Sequence, residues 1–161
     1  MMKFFPAHVY QHELKLLFDE YKKQILLLVP NAKVEHIGSS AIPNAYSKGD
    51  LDILICIGKT EFEKAIQLLK NLNFREKMNT LRTEDLCMLE ASNSEKDVAF
   101  QVITEDSLYL NFLTFRDILI SSPSLVDQYN QLKIACIGFE EDDYRKVKAT
   151  FIEKILSKNI T

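Results

Sequence analysis

Residues 50–57, Asp-Leu-Asp-Ile-Leu-Ile-Cys-Ile, constrain the fold of this chain more than any other stretch. Successive residues of a strand face opposite ways, so Asp50, Asp52, Leu54 and Cys56 share one side and Leu51, Ile53, Ile55 and Ile57 the other. Apart from the two acids the run is apolar on both sides, which predicts a central strand covered on both faces. The acids lie on one face, roughly 7 Å apart along the chain. Two carboxylates so placed can bend toward one Mg²⁺, a hard cation that takes oxygen ligands and keeps waters or substrate phosphates for the rest. Water-poor surroundings would raise their pKa values in the absence of a cation. The competing reading leaves them solvated at the strand's open end, capping the preceding loop.

Upstream, Lys33 to Ile37 reads as a short strand and Gly38-Ser39-Ser40, ending ten residues before Asp50, as the turn that leaves it. A glycine permits close backbone approach, and two hydroxyls beside successive amides make an anion site. Lys48 stands just before the acids and adds a positive charge for the same phosphates. Taken alone, Gly-Ser-Ser is an ordinary strand-to-helix turn with a serine cap. Strand, turn, short helix and acid-bearing strand in succession are a more specific combination.

The remaining chain completes an α/β (α+β) plan. Apolar residues at helical spacing predict a helix over 12–28, with Leu14, Leu17, Phe18, Tyr21, Ile25 and Leu28 on one face. A second helix is expected over 61–72. Residues 74–78, 86–91 and 98–103 read as strands, the last two joined by a hairpin over 92–97. From about residue 107 the period is helical throughout, with stripes at Leu108, Phe112, Phe115 and Leu119, at Leu125, Tyr129, Leu132 and Cys136, and at Tyr144, Val147, Phe151 and Ile155. Ser122 and Pro123 supply a cap and a first-turn proline for the middle helix. The expectation is one domain over 1–161, a small mixed sheet with flanking helices, of which residues 107–161 form a C-terminal helical portion.

Composition narrows the function classes. Hydrophobic residues make up 47% and charged residues 27% of the chain, ordinary for a globular protein. No apolar run reaches the roughly 18 residues a membrane span needs, and the start lacks a signal peptide, so a cytoplasmic location is expected. The net charge of −3 comes with no basic stripe, which argues against a long nucleic acid as partner. Cys56, Cys87 and Cys136 have no metal-ligand spacing and read as buried small hydrophobes. The apolar stripes are consumed by one core, so a monomer is expected.

Val34 to Pro43 (Val-Glu-His-Ile-Gly-Ser-Ser-Ala-Ile-Pro), Lys48 and Asp52-Ile53-Leu54 resemble the signature of the GrpB family, which belongs to the nucleotidyltransferase superfamily of the DNA polymerase beta type. The likeness continues through Phe115-Arg116-Asp117, Tyr129 with Leu132-Lys133, Tyr144 with Lys148, and Phe151-Ile152. It implies a nucleotidyltransferase-like mixed sheet with the site on its open face and the C-terminal helices closing over it. It further implies that Gly38, Ser39, Ser40 and Lys48 bind a nucleoside triphosphate and that Asp50 and Asp52 hold Mg²⁺ as the catalytic pair. A third acid on a later strand would activate the acceptor hydroxyl. Family members usually keep only the acid matching Asp52 and carry histidines on the later strand, one of them at Gln101. An amide there cannot take a proton. Glu90, Glu95 and Asp97 are the candidates to replace it.

Other residues have plainer readings. His36 is expected to be a packed, hydrogen-bonded histidine, and Arg116-Asp117 a structural ion pair. Lys133 and Lys148 are read as solvent-exposed, with a phosphate contact as the competing role. Tyr129, Tyr144 and Phe151 fit core stripes. His8 and His12 lack a third metal ligand. The function expected is binding of a nucleoside triphosphate with Mg²⁺, with nucleotidyl transfer to a small-molecule or protein acceptor. The alternative is an accessory module that binds a nucleotide or metabolite without chemistry.

Overall fold

The computed structural model describes residues 2–92 and 95–158. The ten main elements run α1 (Ala7–Leu28), β1 (Lys33–Ile37), β2 (Leu51–Ile57), α2 (Phe62–Leu69), β3 (Phe74–Glu76), β4 (Leu86–Ala91), β5 (Val98–Thr104), α3 (Asn111–Ile120), α4 (Pro123–Ala135) and α5 (Glu141–Lys158). The strands form one sheet in the order β1-β2-β5-β4-β3. Strand β2 pairs antiparallel with β1 and parallel with β5, and the β5–β4 and β4–β3 pairs are antiparallel. This is the mixed α/β sheet with flanking helices that the sequence predicts.

The two faces of β2 explain why it sits inside the sheet. Leu51, Ile53, Ile55 and Ile57 pack with Val98, Phe100 and Val102 of β5 against α1 and α2, through Leu14, Ile25, Phe62, Ile66 and Leu69. Phe100 stacks on Phe74 with ring centroids 3.8 Å apart, and Tyr21 meets both edge-on. Ile53 and Ile55 are 0% exposed, and each contributes about 1.5–3 kcal/mol by leaving water. On the other face Leu54 and Cys56 join Ile37, Leu86 and Ile103 beneath Tyr109, Leu110 and Leu113. Helices α3, α4 and α5 share a further cluster with the segment after the turn, through Ile42, Ala45, Phe115, Leu119, Val126, Tyr129 and Ile155.

Several expected boundaries move. Helix α1 starts at Ala7 rather than residue 12, directly after Pro6, whose missing N–H costs nothing at a helix start. Only 62–69 of the second helix is α-helical, and Asn73 in the left-handed region ends it. The strand expected over 74–78 stops at Glu76. Residues 93 and 94 of the expected hairpin lie outside the described residues. Leu108 is 84% exposed, because residues 108–110 form a separate 3₁₀ turn out of phase with α3. Ser122 caps α4 as expected, its hydroxyl accepting from the Leu125 amide. The buried stripe of α4 is Val126, Tyr129 and Lys133, one residue away from the Leu125 and Leu132 line. All three cysteines are buried free thiols.

Candidate functional site

Strand pairing brings the turn and the acids together. Ile37, the last residue of β1, stands opposite Asp52 near the start of β2, so the chain leaving β1 passes over the Asp52 side chain. Gly38 has φ 77° and ψ −178°, a conformation reserved for glycine. A Cβ at this position would lie 2.7 Å from Asp52 Oδ2. The glycine is therefore required twice, by its backbone and by the carboxylate lying against it.

The two serines of the turn are held from opposite sides. Ser40 is buried, with its Oγ 2.8 Å from His36 Nε2, and His36 stacks on Phe18 at 5.3 Å. Burial, with a contribution from the Arg116 charge, pushes the His36 pKa down to about 4. His36 is the packed, hydrogen-bonded histidine expected. Arg116 donates to the Glu35 carboxylate and the His36 carbonyl, both at 2.8 Å, and pairs with Asp117 at 2.9 Å. It fastens α3 to β1, a structural role. Ser39 faces α4 instead. Its Oγ is 2.6 Å from Lys133 Nζ and 3.3 Å from the Tyr129 hydroxyl.

Lys133 departs from the expected exposure: it is 0% exposed. Its Nζ also donates to the Tyr46 carbonyl and sits 3.8 Å from the centre of the Tyr129 ring. Burial, reinforced by the Lys148 charge, pushes its pKa well below the ordinary lysine range. The available signal was spacing, since Lys133 follows Tyr129 by four residues and precedes Cys136 by three. All three are buried on α4 or at its end.

The acids sit in a field of mixed sign. Burial foremost, then the Asp50 and Asp97 charges, push the Asp52 pKa up to about 7, against the opposing pull of Lys148 and Lys48. The Tyr129 phenol foremost, with Tyr144, Asp52 and Asp50, holds the half-buried Lys148 above its usual range, while burial opposes them. Lys148 is thus the cation on α5 that answers the acid pair. Asp50 precedes β2, 3.5 Å from Ser47 Oγ, which itself accepts from the Gly49 amide at 3.0 Å. Lys48 pairs with Glu141 at the start of α5, at 3.2 Å.

The β2–β5 register clarifies the later strand. Ala99 stands beside Asp52, and Gln101 stands beside Leu54, one step deeper. The Gln101 side-chain oxygen is buried without a hydrogen-bond partner. Glu90 lies a further strand away, opposite Ala99, and pairs with Arg75 at 3.4 Å. Asp97 comes nearest to replacing the missing acid: its carbonyl accepts from the Leu51 amide at 2.8 Å, and its charge acts on Asp52. Asp50, Asp97, Lys48 and Glu95 share the lining of a cleft of about 600 Å³ whose apolar wall comes from α1. Among the described residues no three His, Cys, Asp or Glu side chains are grouped to hold a metal ion. The donor set is a carboxylate pair, which suits Mg²⁺ retaining waters and phosphate oxygens but not a cage made wholly of protein ligands. No described helix is long and apolar enough to cross a membrane.

A mixed sheet with a Gly-Ser-Ser turn resting on a paired-acid strand, closed by three helices, defines a nucleotidyltransferase-like fold. Solved structures agree at the level of fold. The chain superposes on Cid1, in a structure relating its plasticity to RNA terminal uridylyl transferase activity, with a TM-score of 0.52 and 13% identity. The match covers 78% of this chain and 38% of Cid1, so most of that protein has no counterpart here. The conserved protein GrpB from Enterococcus faecalis superposes with a TM-score of 0.72 and 18% identity over 96% of this chain and 99% of that one. The sequence model described as GrpB protein matches residues 8–158, and the chain belongs to the GrpB family. Its relatives include a UPF0157 protein of Vibrio cholerae, 49% identical over 98% of this chain and 83% of its own length. A UPF0157 protein of Deinococcus radiodurans is 31% identical over 88% of this chain and 74% of its own length.

Proposed function

We propose that this GrpB-family protein binds a nucleoside triphosphate with Mg²⁺ at the junction of the Gly38 turn and the Asp50–Asp52 pair. The observation that carries this reading is the contact between Gly38 and Asp52. The Gly-Ser-Ser turn lies directly against a carboxylate of raised pKa, and a cation there would relieve the carboxylate while drawing phosphate to the turn. In this reading Asp50 and Asp52 hold Mg²⁺, which would neutralise phosphate charge. Ser39, Ser40 and the turn amides hold phosphate oxygens, with Lys148 and Lys48 adding positive charge. A mutant of Cid1, with a comparable fold at a TM-score of 0.51, has a crystal structure bound to MgATP, and that supports the same ligand class here by analogy alone.

Nucleotidyl transfer is a second reading, favoured by the proximity of the Asp97 charge to Asp52 and by the cleft alongside Asp50. The accessory-module alternative is favoured by Gln101, which cannot act as a base. A thermal-melt titration with ATP, GTP, CTP and UTP, with and without Mg²⁺, tests the shared premise. A ligand at about 100 times its Kd stabilises by about 2.7 kcal/mol, which for a chain of this size is a rise of roughly 5–10 °C. The rise should require Mg²⁺ and vanish in Asp52→Asn. A flat response to all four triphosphates would refute nucleotide binding.

A further inference from the structure

The Ser39–Lys133 contact is not needed to hold a triphosphate. A lysine whose only task was to meet phosphate would keep its ammonium near water. Lys133 is instead sealed at 0% exposure beneath the turn, and its Nζ is 2.6 Å from the hydroxyl of a serine that remains half-buried. As an ammonium, Lys133 donates to Ser39 Oγ, to the Tyr46 carbonyl and toward the Tyr129 ring, while the Ser39 hydroxyl donates to the Tyr129 hydroxyl at 3.3 Å. As a neutral amine it keeps its donation to the Tyr46 carbonyl and the ring, and its lone pair can turn to the Ser39 O–H across the same 2.6 Å. Burial favours that neutral form. The same ring would stabilise the ammonium formed when the amine takes up a proton. In that neutral form the pair, with Ser39 Oγ 2.6 Å from a buried amine, has the arrangement of an activated nucleophile. A base is also what the later strand lacks, since Gln101 cannot accept a proton.

We propose that Ser39 is a nucleophile with Lys133 as its base, and that it accepts a nucleotidyl group from the triphosphate bound at its own turn. The inference rests on the nucleotide-binding reading above. In the step, Ser39 Oγ forms a bond to the α-phosphorus, and the bond from the α-phosphorus to the bridging oxygen breaks. Pyrophosphate leaves, and the serine proton passes to Lys133 Nζ. The product is a phosphodiester between Ser39 and a nucleoside monophosphate, formed without an external acceptor.

The test incubates the full chain with Mg²⁺ and each of the four triphosphates labelled at the α-phosphate, followed by denaturing gels, intact mass and peptide mapping. The expected result is covalent label from at least one of them, a mass gain of one nucleoside monophosphate, and its location on Ser39. ATP labelled at the γ-phosphate should leave no label. Ser39→Ala should abolish the modification, and Lys133→Met should slow it about 100-fold or more, the range a general base supplies. Because Lys133→Met can also loosen the turn, a second measurement uses the unaltered chain and no nucleotide. A fluorophosphonate reagent, an electrophile at phosphorus, should modify Ser39 ahead of every other serine. Ser39 reacting no faster than other serines, or label mapping elsewhere, would overturn the proposal. A Mg²⁺-dependent thermal shift with no covalent label from any triphosphate would overturn it and leave nucleotide binding standing. Fluorophosphonate modification of Ser39 without any thermal shift would refute the nucleotide reading and the nucleotidyl acceptor with it.

Discussion

Replacing Gly38 by alanine tests the junction on which the functional reading depends, and the other glycines provide its controls. Gly38 occupies φ 77°, ψ −178°, where a residue with a Cβ pays about 1–3 kcal/mol in backbone strain. The new methyl would also meet Asp52 Oδ2 at 2.7 Å. Asp52 has a short side chain, and its backbone is fixed between β1 and β5, so the carboxylate must leave its rotamer at about 0.5–1.5 kcal/mol. The total is about 2–4 kcal/mol, or roughly 5–15 °C in Tm for a chain of this length. Gly49 also has positive φ, at 87°, but open space where its Cβ would sit, so Gly49→Ala should cost only about 1–2 kcal/mol. Gly58 has φ −60° and open space, so Gly58→Ala should be neutral or stabilising by about 0.4–1 kcal/mol. Urea denaturation of the three variants beside the parent reads all of these on one scale. Equal losses in Gly38→Ala and Gly49→Ala would refute the claim that the turn rests on the carboxylate.

Three further outcomes follow from the same geometry. The folded-state pKa of Asp52 is raised from 3.8 to about 7, so the folded state binds the extra proton and Asp52 costs stability as pH rises through that interval. Without divalent cations, Asp52→Asn should therefore raise the urea midpoint at pH 8 and leave it little changed at pH 4, and a lowered midpoint at both would contradict the assignment. His36 has the opposite sign: its pKa is depressed from 6.5 to about 4, so its contribution is present above pH 6.5 and lost as pH falls toward 4; His36→Gln should flatten that acid limb in a pH series of midpoints. Lys133→Ala removes the Tyr46 carbonyl's partner, at about 1–3 kcal/mol, and opens a cavity besides, so calorimetry should find a Tm loss well beyond that of an exposed change such as Lys154→Ala.

The central strand and the turn were legible because their signals are local. Alternation along 50–57 identifies the two faces of β2, and a glycine before paired serines marks the turn whatever packs upon it. Lys133 was not legible, because a charged residue on a helix is assigned to solvent unless a partner claims it. Its partners are the Ser39 hydroxyl, the Tyr46 carbonyl and the Tyr129 ring, and the first two lie some 90 residues away in sequence. The α4 stripe shifted for the same reason: Leu125 and Leu132 outweigh a lysine on any hydropathy scale, yet the groove offered two oxygens to Lys133. The start of α1 was missed because its first turns bury little beyond Tyr10, which leaves a weak apolar period. The third-acid position depended on sheet register, which no single strand carries. Only the β2–β5 pairing shows that Asp52 has Ala99 for its neighbour and that Gln101 lies one step deeper.

The two lysines of the closing helices divide the electrostatic work according to where each is placed. Lys148 faces the acid pair and is held charged by it and by the tyrosines, so it offsets part of the repulsion between Asp50, Asp52 and Asp97. Lys133 lies beneath the turn, where burial and the Lys148 charge both disfavour a second ammonium. The coupling runs from Lys148 to Lys133: after burial, the Lys148 charge is the next cause lowering the Lys133 pKa. Removing the charge of Lys148 should raise the Lys133 pKa and deepen the shift at Asp52 together. Lys148→Met would then move two titrations in one direction, upward, although only Asp52 is an acid. A substitution acting through lost packing alone would give no such common direction. Titration of the Asp52 carboxyl and the Lys133 amine by NMR in Lys148→Met reads both groups separately, and movement of one without the other would break the proposed coupling.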